Sequence, residues 1–237
     1  GANANETINI SIKGASASDL GSYDLDDVNQ NANFGTGSAA NANTSLTNVV
    51  GANGNTGINE IVTQTLSIQT GDGTTETVSV TDGDTAAQIA AAVNAQSSTT
   101  GVTAEAVNEV ELNTLNTDGT VSFSLSTSGG GTANVSAAVT TTDLSALADA
   151  INSEAGKTGV TAEIGADLST ITLKDSEGND INIKNFDHSG GAGTETINVK
   201  GLNNQNETLT QGNADSTIVA GKVTFNSDEA FSVSSNV

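Results

Sequence analysis

No cysteine, proline, methionine, tryptophan or arginine occurs anywhere in this chain. Without cysteine there is neither a disulfide framework nor a thiolate metal site. Without arginine there is no bidentate grip on phosphate. The six lysines, Lys13, Lys157, Lys174, Lys184, Lys200 and Lys222, lie too far apart to form a basic stripe. Against them stand 28 acidic residues, a formal net charge of −22. Nucleic acid and anionic lipid are therefore excluded as partners. At ordinary usage a chain of this length would hold about a dozen prolines, so their absence is a property of the sequence. Aromatics are nearly missing too, with five Phe and one Tyr. The core must then be built from Ala, Val, Ile and Leu, in thin layers and small modules. No apolar run approaches the ~20 residues of a membrane-spanning helix. The opening residues, Gly1 to Glu6, do not read as a signal peptide.

What is present is a repeat. Residues 84–105, DTAAQIAAAVNAQSSTTGVTAE, match residues 142–163, TDLSALADAINSEAGKTGVTAE, at a constant offset of 58. Val93-Asn94 aligns with Ile151-Asn152. Gly101-Val102-Thr103-Ala104-Glu105 recurs unchanged as Gly159-Val160-Thr161-Ala162-Glu163. In the second copy Leu144, Leu147, Ala148, Ile151 and Ala155 form one helical stripe. Thr142 or Asp143 is its expected cap, and Gly156-Lys157 its stop. In the first copy Asp84 or Thr85 is the expected cap, with Ile89 and Val93 on the buried face. Each helix then gives way to an alternating strand.

Period-two stretches flank the helices. Thr65–Gln69 and Thr77–Val80 alternate around Gly71-Asp72-Gly73 and read as a hairpin. Val121–Leu125 alternates ahead of Gly129-Gly130-Gly131. Ile171–Leu173 and Ile181–Ile183 flank Asp175–Asn179 and read as a second hairpin. Further strands are expected at 7–12, 196–200, 217–225 and 230–234, and residues 29–57 read as an exposed loop. The expected fold is α+β, predominantly antiparallel β, with two hairpin–helix–strand repeats. Residues 1–60 and 195–237 would form a discontinuous base domain. Residues 61–194 would form an outer domain, with repeats at about 65–128 and 129–190.

Catalytic chemistry has no foothold. The lone histidine, His188, has no partner for H-E-x-x-H and no G-x-S-x-G elbow, and is expected on an exposed loop. Gly190-Gly191-Ala192-Gly193 precedes a strand, unlike a dinucleotide loop. The acidic groups Asp24/Asp26/Asp27, Asp72/Asp82/Asp84 and Asp175/Glu177/Asp180 lack calcium-loop spacing and read as turn formers. No catalytic, cofactor-binding or metal-ligating residue is assigned, and no cofactor is expected. The net charge predicts that copies repel, so self-association should be weak and should rise with ionic strength.

The paired segments 84–105 and 142–163 resemble the repeat of bacterial flagellins and hook-associated proteins. The opening GANANETINISIKGASASDLG and the ending TIVAGKVTFNSDEAFSVSSNV resemble the two passages between a flagellin's filament core and its variable region. The resemblance implies the variable outer region of a flagellin: an exported, extracellular, structural segment on the filament surface. It would serve display, contacts with other copies and antigenic variation, and it could meet host antibodies. Export of an unfolded chain would suit a sequence without disulfides or slow prolyl bonds. Long heptad helices of a filament core are not found in the sequence. The equivalent region of a filament-cap protein, and a stalk or carbohydrate-binding module of an adhesin, are the alternatives.

Overall fold

A computed structural model describes residues 22–23, 59, 61, 63–191, 193–201, 206–212 and 215–236. The expected strand at 7–12, the loop at 29–57 and Asp24, Asp26 and Asp27 lie outside them. The described part is mostly antiparallel sheet with a few short helices, an α+β fold rich in strand.

The alternation at Gln64–Thr70 (β2) and Thr75–Val80 (β3) puts Leu66, Ile68, Val78 and Val80 inside and hydroxyls outside. The two pair around the Gly71–Thr74 turn, as expected. Helix α1 (Ala86–Asn94) begins at Thr85, which forms a capping box with Gln88. Its buried stripe is Ala86, Ile89, Ala90 and Val93. A single turn, α2 (Ser97–Thr100), ends in left-handed Gly101 and releases the chain into β4 (Val102–Asn113).

The next stretch runs through the same kinds of element. Strands β5 (Gly119–Thr127) and β6 (Ala133–Val139) form a hairpin. Helix α3 (Ser145–Ser153) buries Leu147, Ala148 and Ile151, with Leu144 at its N-cap. Asp143 Oδ1 accepts from Ser145 N at 2.9 Å, one position before that cap. The helix does not stop at Gly156-Lys157. These lie within a further turn, α4 (Ala155–Thr158), which also contains Ala155, and the stop is left-handed Gly159. Strands β7 (Thr161–Ile164) and β8 (Ile171–Asp175) follow and pair with each other.

Residues 171–183 correct one expectation. Strand β8 and strand β9 (Ile181–His188) are not a hairpin: β8 pairs with β4 and β7, and β9 pairs with β5. The segment between them is a crossing from one sheet to another. The chain returns through the hairpin β10 (Thr196–Lys200) and β11 (Asn206–Thr210), with β10 on β4. It continues as β12 (Thr217–Val219) on β9, β13 (Lys222–Ser227) on β4 and β14 (Phe231–Ser235) on β2. The stretch expected as one strand, 217–225, is therefore two, divided near Gly221. Strand β1 (Ser22–Tyr23) lies on β13.

These returning strands repeat a register. Phe225 faces Ala104 on β4 as Leu173 faces Ala162 on β7. Val233 faces Ile68 on β2 as Ile183 faces Leu125 on β5. Two apolar cores result. One gathers Leu66, Ile68, Ile89, Val93, Val102 and Phe225. The other gathers Phe123, Leu125, Leu147, Ile151, Leu173 and Phe186.

Strand β9 also overturns the expectation for His188. Asn185 has a φ of 56°, and the β5–β9 register shifts between Ser122 and Ser124. This bulge changes the inward parity from Ile181 and Ile183 to Phe186 and His188. His188 is in a strand and only 2% exposed.

Ile151 is fully buried at the centre of the second core. Ile151→Ala should lower unfolding stability by about 2–5 kcal/mol. Ala91→Ser, on the exposed side of α1, should change it by less than about 1 kcal/mol. Urea denaturation of both variants checks the contrast.

Candidate functional site

The residues that recur in sequence also recur in geometry. The side chain of Asn94 clasps the backbone of Ala104: Nδ2 donates to the Ala104 carbonyl, and Oδ1 accepts from the Ala104 N–H, both at 2.8 Å. Asn152 clasps Ala162 in the same way, also at 2.8 Å twice. Each asparagine thus presents the amide face of a neighbouring strand and ties the end of its helix to the strand that follows. Threonine completes the unit. Thr100 Oγ1 donates to the Gln96 carbonyl at 3.0 Å and accepts from Val102 N at 3.1 Å. Thr158 does the same between Glu154 and Val160, at 3.1 and 3.2 Å. Gly101 and Gly159 reverse the chain at φ values of 65° and 82°. Val102 and Val160 then drop into the cores with no exposed surface. The asparagines were visible as an aligned pair, but their clasp, and the threonine link, need the three-dimensional turn to be seen.

A second polar group lies where the two cores meet, and sequence reasoning did not find it. Asn108 on β4 is fully buried and donates to the carbonyls of Asn179, at 2.9 Å, and Val219, at 2.7 Å. Asn59 Nδ2 reaches both the Asp84 carbonyl, at 3.1 Å, and Asp180 Oδ2, at 2.8 Å. The crossing segment 176–180 is held against α1 by the bond from Ala87 N to the Gly178 carbonyl. Burial pushes the Asp180 carboxyl up to about 7, with the Asn59 bond opposing. Its Oδ1 has no hydrogen-bond partner.

The acidic groups singled out in the sequence do not converge. Asp72 lies at one end of β3, and Asp82 and Asp84 at the other. The Thr70 hydroxyl and the Thr74 backbone hold the Asp72 carboxyl below its usual range. Asp175 Oδ1 turns inward to the N–H groups of Glu177 and Asn179. Among the described residues no group of three or more His, Cys, Asp or Glu side chains could hold a metal ion. His188 Nδ1 accepts from Gly190 N at 2.9 Å, and its ring lies against Gly119. None of these arrangements offers an activated nucleophile to solvent.

The sequence model of the flagellin hook IN motif matches residues 65–121 and again residues 120–177. The stretch is a flagellin-type internal repeat region. The clasps of Asn94 and Asn152 fall one in each copy of the motif. Among solved structures, the flagellar cap protein FliD from Escherichia coli, represented by its D1-D2-D3 domains, is similar over 58% of this chain and 53% of its own. The identity is 14% and the TM-score 0.24, too loose a likeness to carry an argument about role. The match spans about half the length of that solved chain. A search of curated proteins gave no match. Among the described residues no helix is long and apolar enough to cross a membrane.

Two outcomes follow. Asn94→Ala should lose about 1–2 kcal/mol, because it leaves a part-buried N–H and carbonyl of the following strand without partner, and Asn152→Ala, whose bonds are open to water, about 0.5–1 kcal/mol. Asn152→Asp should recover only part of the loss, since it keeps the acceptor but not the donor. Denaturant titration of the three variants checks this. For Asp180, the folded protein holds a proton that the unfolded chain releases near pH 4. Raising the pH from about 4 to about 7 therefore favours unfolding, and below about 4 the group is indifferent. Each pH unit between the two values is worth about 1.4 kcal/mol. Asp180→Asn should match the natural protein at pH 4 and exceed its stability at pH 8 by up to about 4 kcal/mol. Thermal melts at the two pH values measure the difference.

Proposed function

We propose that this region is the surface-exposed outer part of a flagellar filament subunit, exported and displayed outside the cell. Its role there is structural: display, contact between copies and antigenic variation. The observation that carries this reading is the tandem hook IN motif, built twice with the same asparagine clasp on small β-rich units. The net charge of −22 keeps copies soluble at the crowding of a filament surface.

The organisation we propose is discontinuous. The pairing of β1 with β13 supports the idea that the segments 1–60 and 195–237 meet. The registers of β13 on β4 and β14 on β2 favour a boundary drawn between the two cores rather than at residue 195. On that division the second unit, about 110–219, is inserted within the first. The first is closed by β13 and β14 as the second is closed by β8 and β9.

Antibodies raised against the folded chain test the reading by immunogold electron microscopy of flagellated cells that carry the protein. Label along the whole filament is the expected result. Label confined to the distal tip would assign the region to a cap protein instead. Label on the cell body alone would point to an adhesin.

A further inference from the structure

The sheet formed by β14, β2 and β3 has two unlike faces. Its inner face is the apolar floor of the first core. On its outer face every position of the three strands is Ser, Thr or Gln. Cross-strand rows run Ser234–Ser67–Thr77 and Ser232–Gln69–Thr75. Ser234, Ser232, Gln69, Thr75 and Thr77 are exposed and Ser67 is half-buried. No formal charge interrupts the rows. Glu76 of β3, half-buried, is on the other face opposite Ile68, and the exposed carboxylates stand at the ends: Asp72, Asp228 and Glu229 on the turns at one end, Asp82 beyond β3 at the other. The seven-stranded sheet is the opposite case, with Glu109–Lys174 at 2.9 Å and Glu111–Lys200 at 3.7 Å on its surface.

We propose that this neutral hydroxyl face is where one copy of the chain meets another, a refinement that rests on the filament reading above. Charge selects the occupant. In a chain of net charge −22, bringing copies together through acidic surfaces sets like charges face to face. The outer face of β14, β2 and β3 can be covered without desolvating any ion. Hydroxyl and amide groups both donate and accept, so the face is complementary to itself. Its size sets the strength. Three strands about 4.8 Å apart and about 20 Å long offer roughly 300 Å², well under the ~800 Å² per partner of a stable complex. The contact is therefore weak in solution and becomes significant only where copies are already arrayed, at high effective concentration. The acidic rim adds a repulsion that salt removes: the Debye length falls from about 30 Å at 0.01 M to about 10 Å at 0.1 M.

Sedimentation equilibrium of the whole chain at high protein concentration, in NaCl from about 0.01 M to about 0.1 M, tests the proposal. The natural chain should associate weakly, and more strongly as salt rises. Ser67→Glu places a charge at the centre of the face and should weaken association at least about tenfold. The double variant Asp72→Asn, Glu229→Gln should associate at low salt as the natural chain does at high salt. Thermal melts verify that each variant is folded, and Ser234→Lys replaces Ser67→Glu should the latter melt early. A monomer under every condition, association indifferent to salt, or Ser67→Glu behaving as the natural chain would each overturn the assignment. Immunogold label along filaments combined with any of these would leave the filament reading standing and remove only the face.

Discussion

The architecture depends on one strand serving two cores. On β4 the even-numbered side chains point inward: Val102 and Ala104 enter the first core, Val110 and Leu112 the second. Between them stands Asn108, where an apolar residue would have fused the two interiors. Its buried amide instead accounts for the carbonyls of Asn179 and Val219, two segments that must turn away at that point. The approach is close enough to select glycine. A Cβ on Gly178 would lie 2.4 Å from the Ala106 Cβ, and one on Gly221 would lie 2.9 Å from the Val107 carbonyl oxygen. A polar waist with glycine on both sides lets one continuous strand link two small interiors while keeping them distinct.

With so few aromatics, each interior is thin, and its stability rests on how firmly its one nine-residue helix is registered to the sheet. The asparagine clasp answers that need. A helix end is normally anchored by its N-cap side chain, yet the N-cap of α3 is Leu144, which has none to offer, and only Asp143, one position earlier, reaches the Ser145 N–H. Its C-terminal side is instead anchored through Asn152 to Ala162 and through Thr158 to Val160. In the first copy the capping box at Thr85 and the Asn94 clasp hold both ends of α1. This is why the shared residues cluster after the helix rather than along it. The stripe tolerates Ile89 against Leu147, but the turn needs Asn, Thr and Gly in fixed places.

Much of this was legible because the informative signals are local. The stripes of both helices, the Thr85 cap, the β2–β3 hairpin and the strand before Gly129 follow from periodicity and turn chemistry. The errors arose where distance in space overruled local pattern. Asp175–Asn179 has the composition of a hairpin turn, and its carboxylate does organise a turn. Yet β4 offers β8 a better partner than β9 does, since Val110 and Leu112 oppose Leu173 and Ile171. One left-handed residue, Asn185, reversed the facing of His188, and nothing in a stretch of alternating residues announces a bulge. Asn108, Asn59 and Asp180 lie far apart in sequence and have meaning only together.

The acidity and the missing proline also belong to one account. Proline ordinarily fixes the backbone of turns; here Gly, Asn and Asp must do so. Asp72 accepts from Thr74 N, Asp84 from Thr81 N, Asp143 from Ser145 N and Asp167 from Ser169 N. Asp118 holds Thr141 N across a loop. Hydrogen bonds to Thr70, Ser145 and Ser169 hold the carboxyls of Asp72, Asp143 and Asp167 below their usual range, which favours their ionised form. Every turn made in this way adds a negative charge that is not neutralised, because the turn itself uses the carboxylate. A chain that folds without proline through aspartate turns becomes strongly anionic whether or not charge is needed. The charge then disfavours close approach of copies through their acidic turns.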